Sequence, residues 1–301
     1  MAERASFFNR HYFLLRRLHS LTGIVPIGVF LIAHLTTNSS IAWGGLATRG
    51  EHADLGLVER SVAYFNEEVT WINEQVPHLL LIEIVLWVSI AFHSILGVAY
   101  AASGKPNQRL YPYQDNWRYT LQRISGYVGI LFIFYHVATL RWGWTALVPA
   151  GTTWSHHAAS STLAMALRGG EDWTPAGMAV SAGYFIGVSM LVFHFANGLW
   201  TAAITWGLTV SVRAQRRWGA VCAVIGLGLM GMAWASVIGF AMMPPSKAKA
   251  VEDRLHPPAM QEAGGASHGS RTGMASRASS LTSVANPKAG SGDALTGGSR
   301  E

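Results

Sequence analysis

Four histidines occupy comparable places in four long apolar runs of the chain, namely His34, His93, His136 and His194. An ionisable side chain inside an apolar segment is costly to bury, so it normally faces a partner or a cofactor. Two inward-facing histidines on neighbouring helices can bind one haem iron from opposite sides, because each axial position takes one imidazole nitrogen. A hydrogen-bonded packing role explains any one of them equally well, but their recurrence on four runs favours haem ligation.

Depth within the runs indicates how the histidines pair. His34 and His136 lie past the middle of their runs, toward one face of the membrane, whereas His93 and His194 lie toward the other face because their runs travel in the opposite direction. This predicts two haem b groups, an outer one held by His34 and His136 and an inner one held by His93 and His194. Small residues that would let a porphyrin approach, and that also suit helix packing, are Gly23, Gly97, Ser125, Gly129, Gly183, Gly187 and Gly198.

Polar side chains at the inner ends of the first and third runs are candidates to bind the anionic haem propionates. They are Arg17, His19, Ser20, Arg123 and Ser125. For each arginine, anchoring at the membrane interface is an equally good explanation.

Glu83 is the only acidic residue inside a predicted span and precedes His93 by ten positions. A carboxylate in the outer half of a span is a functional-site candidate. Quinone reduction consumes protons, so Glu83 is a candidate catalytic residue for proton transfer near the outer haem. The alternative is a hydrogen bond within the bundle.

Composition indicates a membrane protein. Of 301 residues, 50% are hydrophobic and only 13% charged, about half the charged fraction of soluble domains. The single cysteine, Cys222, excludes an intrachain disulfide and a cysteine-ligated iron–sulfur cluster, and is best explained by packing. The glycine pattern Gly226–Gly231 resembles a dinucleotide-binding motif but follows no strand.

The predicted fold is all-α, a five-helix transmembrane bundle over residues 1–243 followed by a disordered polar tail over 244–301. The runs are continuous rather than alternating, which indicates helices. An amphipathic helix from Leu55 to Gln75 is predicted in the first outer loop, and the second outer loop, about 142–176, has no clear pattern. The predicted spans cover about 18–37, 78–102, 121–141, 177–207 and 217–242.

Basic residues predict the orientation in the membrane. Eleven lie on the side of the N-terminus and four in the opposite loops, which places the N-terminus in the cytoplasm. Because they lie between apolar runs, the positive charge reflects topology rather than nucleic-acid binding. The eleven are Arg4, Arg10, Arg16, Arg17, Lys105, Arg109, Arg118, Arg123, Arg213, Arg216 and Arg217, and the four are Arg49, Arg60, Arg141 and Arg168.

Each of the four histidines lies within a longer motif. The first run carries Arg16–Pro26 followed by His34-Leu35, and the third carries Gln122–Gly126 with Tyr135-His136. The second and fourth runs each carry a Phe-His pair with a glycine four positions after the histidine, namely Phe92-His93 with Gly97 and Phe193-His194 with Gly198. Over about residues 10–240, these motifs resemble the first four helices of the dihaem cytochrome b subunit of succinate:quinone oxidoreductases.

The resemblance implies a multi-pass anchor in the bacterial inner membrane for a flavoprotein subunit and an iron–sulfur subunit on the cytoplasmic face. Succinate is oxidised in the flavoprotein, and electrons pass through the inner and outer haems to a quinone, menaquinone in the dihaem type. Some fumarate-reducing members carry a glutamate where this chain has Val192, which favours the succinate-oxidising direction.

Two alternatives remain open on the sequence alone. One is a bis-histidine cytochrome b anchor of a hydrogenase, formate dehydrogenase or nitrate reductase. The other is a haem-free transporter that uses the histidines and Glu83 as a proton relay, although no inverted repeat is visible.

Overall fold

The computed structural model describes residues 10–48, 50, 52–103 and 114–257. Over these residues it contains nine α-helices and no strand, which confirms the all-α prediction. The helices are α1 (Tyr12–Ile24), α2 (Pro26–Ala47), α3 (Leu57–Gln75), α4 (Leu79–Ser103), α5 (Gln114–Leu140), α6 (Ala159–Arg168), α7 (Pro175–Thr205), α8 (Val212–Met242) and α9 (Pro245–Leu255).

Among the described residues, five helical segments are long and apolar enough to cross a membrane, as predicted. The first combines α1 and α2 in 36 residues, and the others lie in α4, α5, α7 and α8. The break between α1 and α2 falls at Val25 because Pro26 has no amide hydrogen to continue the helix. Large apolar side chains such as Leu131 and Leu227 are exposed, as expected of helices that face lipid.

The four histidine-bearing segments pack as one group. Helix α1 contacts α4 and α7, and α5 packs on α7. Helix α8 lies against α7 and α2, where Leu229 and Ala233 meet Leu35 and Val192 in a buried cluster. The bundle thus brings the helices of His34, His93, His136 and His194 together.

Helices α3, α6 and α9 form a second layer, here called the helical cap, over the ends of α2 and α8. Its core includes Val62, Phe65 and Val69 of α3 together with Phe240 of α8 and Val251 of α9. The amphipathic helix predicted from Leu55 to Gln75 is confirmed with its first turn at Leu57. We call this end of the bundle the cap end and the opposite one, where α1 begins, the basic end.

The structure adds a helix to the second outer loop and corrects the first part of the predicted tail. The loop, which has no clear pattern in the sequence, contains helix α6, and the segment just after residue 244 forms helix α9 where disorder was predicted. Helix α9 has little apolar surface of its own, but Ala248 and Val251 are buried in the helical cap. Tertiary packing therefore stabilises a helix that local composition does not predict. The described residues do not include 258–301 of the predicted tail. They also do not include four basic residues used to predict the orientation, Arg4, Arg49, Lys105 and Arg109.

Candidate haem-binding sites

The structure brings the four span histidines together in the two pairs that depth predicted. The imidazole rings of His34 and His136 have centroids 5.8 Å apart, and those of His93 and His194 lie 6.0 Å apart. Imidazole nitrogens bind metal ions at about 2 Å, so two rings on opposite sides of one ion have centroids about 6 Å apart. Both separations therefore suit bis-histidine ligation of an iron.

Hydrogen bonds orient the inner pair. Nδ1 of His93 lies 2.8 Å from the carbonyl oxygen of His19, and Nδ1 of His194 lies 3.1 Å from that of Gln122. A carbonyl oxygen only accepts hydrogen bonds, so each Nδ1 carries the proton. The lone pair of each histidine is then on Nε2, which is the arrangement seen in metal-binding histidines.

The outer pair has apolar and aromatic surroundings. The ring of Phe30 stacks on His34, and Phe132 and Tyr184 both contact the ring of His136. Nδ1 of His136 is buried and has no hydrogen-bond partner among the described residues. This ring therefore lacks the orienting hydrogen bond at Nδ1 that His93 and His194 have, and its aromatic neighbours position it instead.

The glycines on these helix faces differ in what a Cβ atom would contact. A Cβ atom on Gly23 would lie 2.5 Å from Cε1 of His93, and one on Gly126 would lie 3.1 Å from Cε1 of His194. These glycines make room for the inner pair. Gly129 and Gly187 instead accommodate Leu191 and Phe132, so helix packing accounts for them, whereas Gly183 has open space around its Cα.

The predicted propionate ligands gather at the basic end beside the inner pair. His19 stacks on His93 with ring centroids 4.0 Å apart, and Ser125 hydrogen-bonds to His194 Nδ1 at 3.2 Å. Nδ1 of His19 and Nε of Arg123 are buried without a partner among the described residues. Both are suited to an anionic group.

Arg17 and Ser20 form the edge of the same region. The guanidinium of Arg17 lies 5.9 Å from the ring of Trp206, whose indole nitrogen donates to Ser20 Oγ at 2.8 Å. Nη2 of Arg123 donates to the carbonyl of Ala101. These side chains are thus held at the helix ends, where propionates would lie.

Glu83 has a partner that the sequence analysis did not identify. Nη2 of Arg141, one residue beyond α5, lies 3.0 Å from Oε2 of Glu83. The pair lies at the cap end, the same end as His34 and His136. Because the Arg141 side chain is 62% exposed and that of Glu83 28% exposed, the carboxylate is close to the surface of the bundle rather than isolated in its interior.

A polar network next to the inner pair was also missed. Gln122 donates to the carbonyl of His194 at 3.1 Å and accepts from Asn197 at 2.8 Å, and Asn197 in turn accepts from Arg118 Nε at 2.9 Å. Gln122 and Arg118 lie four positions apart on one helix face, and this spacing could have predicted that both side chains share a polar partner. Asn197 gave none, because it lies alone in an apolar run.

Two other features of the sequence lie within helix α8. Cys222 is buried within α8, and the glycines of Gly226–Gly231 lie inside the same helix. A dinucleotide-binding motif requires a strand-to-helix turn, which this segment lacks.

Comparison with known proteins identifies the family. The chain is 31% identical over 233 residues to the succinate dehydrogenase cytochrome b558 subunit of Bacillus subtilis (strain 168). The alignment covers 77% of this chain and 98% of that relative. No protein-family model and no solved structure matches the chain. At this identity and coverage, the chain belongs to the family of succinate dehydrogenase cytochrome b membrane subunits.

Proposed function

We propose that this chain is the dihaem anchor of a succinate:quinone oxidoreductase, with His93 and His194 holding an inner haem b and His34 and His136 an outer one. When bound, the two haems would supply one-electron transfer between an iron–sulfur partner subunit and a membrane quinone, which we take to be menaquinone. The observation that carries the proposal is the pairing of four span histidines at 5.8 and 6.0 Å.

The chain's own residues would position and neutralise the inner group. His19 and Gln122 fix the tautomers of His93 and His194 through their backbone carbonyls. Arg123 and His19 present buried polar atoms to the propionates, and Arg17 and Ser20 complete the polar edge. Charge-assisted hydrogen bonds of this kind are about twice as strong as neutral ones.

Orientation and partners follow from the charge distribution. Arg10, Arg16, Arg17, Arg118 and Arg123 lie at the basic end, which we assign to the cytoplasmic face of a bacterial inner membrane. The flavoprotein and iron–sulfur subunits would then dock at this end, next to the inner pair. We assign no dicarboxylate-binding site to this chain and propose that succinate is oxidised in the flavoprotein subunit.

Quinone would be reduced at the cap end, near the outer pair. We assign Glu83 as the residue that hands protons to the reduced quinone, with Arg141 holding the carboxylate at the bundle surface. Val192 is buried against Leu35 and Leu229 and offers no proton-carrying group. We therefore propose the succinate-oxidising direction.

The test is haem content and reduced-minus-oxidised absorption spectra of the purified, haem-supplied protein. We expect two b haems per chain, with His34→Ala and His136→Ala losing one and His93→Ala and His194→Ala losing the other. His52→Ala, in the loop before the helical cap, should retain both. Should an alanine variant fail to accumulate, the corresponding His→Met variant retains a haem ligand and should show a shifted spectrum for one haem only. Absence of haem, or loss of haem in unrelated pairs, would overturn the assignment.

A further inference from the structure

A second group of potential metal ligands lies in the helical cap, on side chains that the proposed electron path does not use. It consists of Glu74 in the last turn of α3 and of His156 and His157 in a short 3-10 turn, His156–Ala158, before α6. One ligand atom from each residue lies within 4.8 Å of the other two. These residues come from segments about 80 positions apart, so the fold and not local sequence brings them together.

The individual contacts show a cluster whose side chains must rotate to reach ligating geometry. The rings of His156 and His157 have centroids 3.9 Å apart, and Nε2 of His157 lies 4.0 Å from Oε1 of Glu74. Ligand atoms around a tetrahedral ion at 2.0–2.1 Å are about 3.4 Å apart, and two imidazole rings on such an ion have centroids about 5 Å apart. The exposed Glu74 side chain must therefore turn toward His157, and the two imidazole rings must separate by about 1 Å.

The protein holds the histidine turn in place. Asn66 of α3 is fully buried, donates to the carbonyl of His157 at 3.1 Å and accepts from the amide of Ala159 at 3.3 Å. Both bonds fix the backbone of the turn against the helix that carries Glu74. The backbone of the site is therefore pre-organised, which lowers the entropic cost of binding an ion.

The ligand set specifies the kind of ion. Two imidazoles and one carboxylate are typical ligands of Zn²⁺, whereas Ca²⁺ and Mg²⁺ prefer sites made of oxygen atoms. Three protein ligands leave the fourth tetrahedral position for water. Because Glu74 belongs to α3 and the histidines precede α6, a bound ion would cross-link two elements of the helical cap.

We propose that Glu74, His156 and His157 form a Zn²⁺ site that ties the end of α3 to the turn before α6. This site is separate from the two histidine pairs in the bundle and does not depend on the proposed electron path. Binding of Zn²⁺ would protect the segment around residues 152–158 from local opening, because an ion that binds only the folded cap stabilises it by mass action.

The experiment is Zn²⁺ titration calorimetry on the haem-loaded protein in detergent after treatment with a chelator. We expect one Zn²⁺ per chain, at least tenfold weaker affinity in Glu74→Gln, and no binding at this site in the double variant His156→Ala/His157→Ala. The matched control is Glu67→Gln, which changes a carboxylate two helical turns earlier on α3 and should leave the affinity unchanged. Glu74→Gln alters one exposed side chain at a helix end, so it tests the site without endangering the fold.

A spectroscopic probe identifies the ligands directly. Cu²⁺ bound at the same site should show nitrogen hyperfine structure from two imidazoles in its electron paramagnetic resonance spectrum, and the double variant should lose it. The haem absorption spectrum should be the same in every variant, which verifies that the bundle is intact. Binding that persists in the double variant, or a wild-type protein that takes up no Zn²⁺, would overturn the proposal.

Discussion

Nδ1 of His93 lies 2.8 Å from the backbone carbonyl oxygen of His19, and the two imidazole rings stack with centroids 4.0 Å apart. One residue thus fixes a candidate ligand through its main chain and covers its ring with its side chain. Since His19 lies on α1 and His93 on α4, the contact also links the first two membrane spans. Because the acceptor is a backbone carbonyl, it can fix the tautomer of His93 whatever side chain stands at position 19.

Gly23→Ala should disturb the inner pair selectively. The added Cβ would lie 2.5 Å from Cε1 of His93, and the ring cannot retreat freely because His19 holds it. We expect partial loss or a spectral shift of the inner haem, and complete loss in Gly23→Val. The measurement is haem content with reduced-minus-oxidised spectra. Gly228→Ala in α8 is the control, since a Cβ added there would meet none of the described neighbouring side chains within 4 Å, and equal spectra for both variants would contradict the prediction.

The Gln122 side chain should contribute to stability without determining ligation. In Gln122→Leu the amide of Asn197 loses its 2.8 Å acceptor, and a buried unsatisfied donor costs about 1–3 kcal/mol. The backbone carbonyl that orients His194 remains, so both haems should bind. Thermal unfolding followed by haem absorbance would measure the effect. The control is Gln215→Leu, which removes a 3.2 Å hydrogen bond to the carbonyl of Thr209 near the start of α8 and should lower the unfolding temperature less. Loss of the inner haem in Gln122→Leu would show that the Gln122 side chain itself is needed for ligation.

The positions of the histidines could be predicted from sequence because they depend only on helix length and direction. The runs are long and apolar, so the depth of His34 and His136 follows from counting residues at a fixed rise per residue. The same reasoning works for His93 and His194. No comparable rule reveals that Nδ1 of His93 meets the carbonyl of His19, because that contact depends on how α1 crosses α4.

The parts that sequence did not predict are those made by tertiary contacts. Helix α9 is polar and short, and Glu252 within it is buried against the start of α6, which no local pattern indicates. Glu83 was interpreted as a solitary carboxylate, since its partner Arg141 lies 58 positions later. In both cases the decisive neighbour is distant in sequence.

Glu83→Gln should slow quinone reduction while leaving both histidine pairs intact. A glutamine cannot carry a proton to the reduced quinone, and removal of a positioned proton donor commonly costs about a hundredfold in rate. Succinate should still reduce the haems of the assembled complex at the wild-type rate. The two rates, measured separately by absorbance, distinguish a proton-transfer role from a structural one.

Arg141→Gln completes this test. The Arg141 side chain is 62% exposed, and an ion pair at the surface contributes about 0–1 kcal/mol to stability, so the variant should fold normally. If Arg141 only positions Glu83, quinone reduction should fall less than in Glu83→Gln. Glu59→Gln, in the first turn of α3, is the control. Wild-type quinone reduction in Glu83→Gln would exclude this residue from the proton path.

Stability of the helical cap should depend on pH through Glu252. The Glu252 carboxylate accepts hydrogen bonds from the amides of Ser160 and Ser161 at 2.7 and 3.1 Å and from the Ser161 hydroxyl. Burial nevertheless raises its pKa above the ordinary value, and these bonds and Lys249 only oppose the rise. An acid with a raised pKa binds its proton more tightly in the folded cap. Its contribution to stability is therefore greatest below about pH 4.3, the ordinary glutamate pKa, and is lost as the pH rises through the raised value.

Amide hydrogen exchange of α6 over this pH range would measure the effect as a change in local opening free energy. Glu252→Gln should abolish the dependence, because its amide oxygen can still accept from both serine amides while its NH₂ donates to the Ser161 hydroxyl. Glu252→Ala should open α6 at every pH, since it leaves buried serine amides without acceptors. Glu171→Gln, which changes an exposed carboxylate bonded to Ser246, should retain the wild-type slope. The same slope in Glu252→Gln would mean that another group governs the stability of the cap.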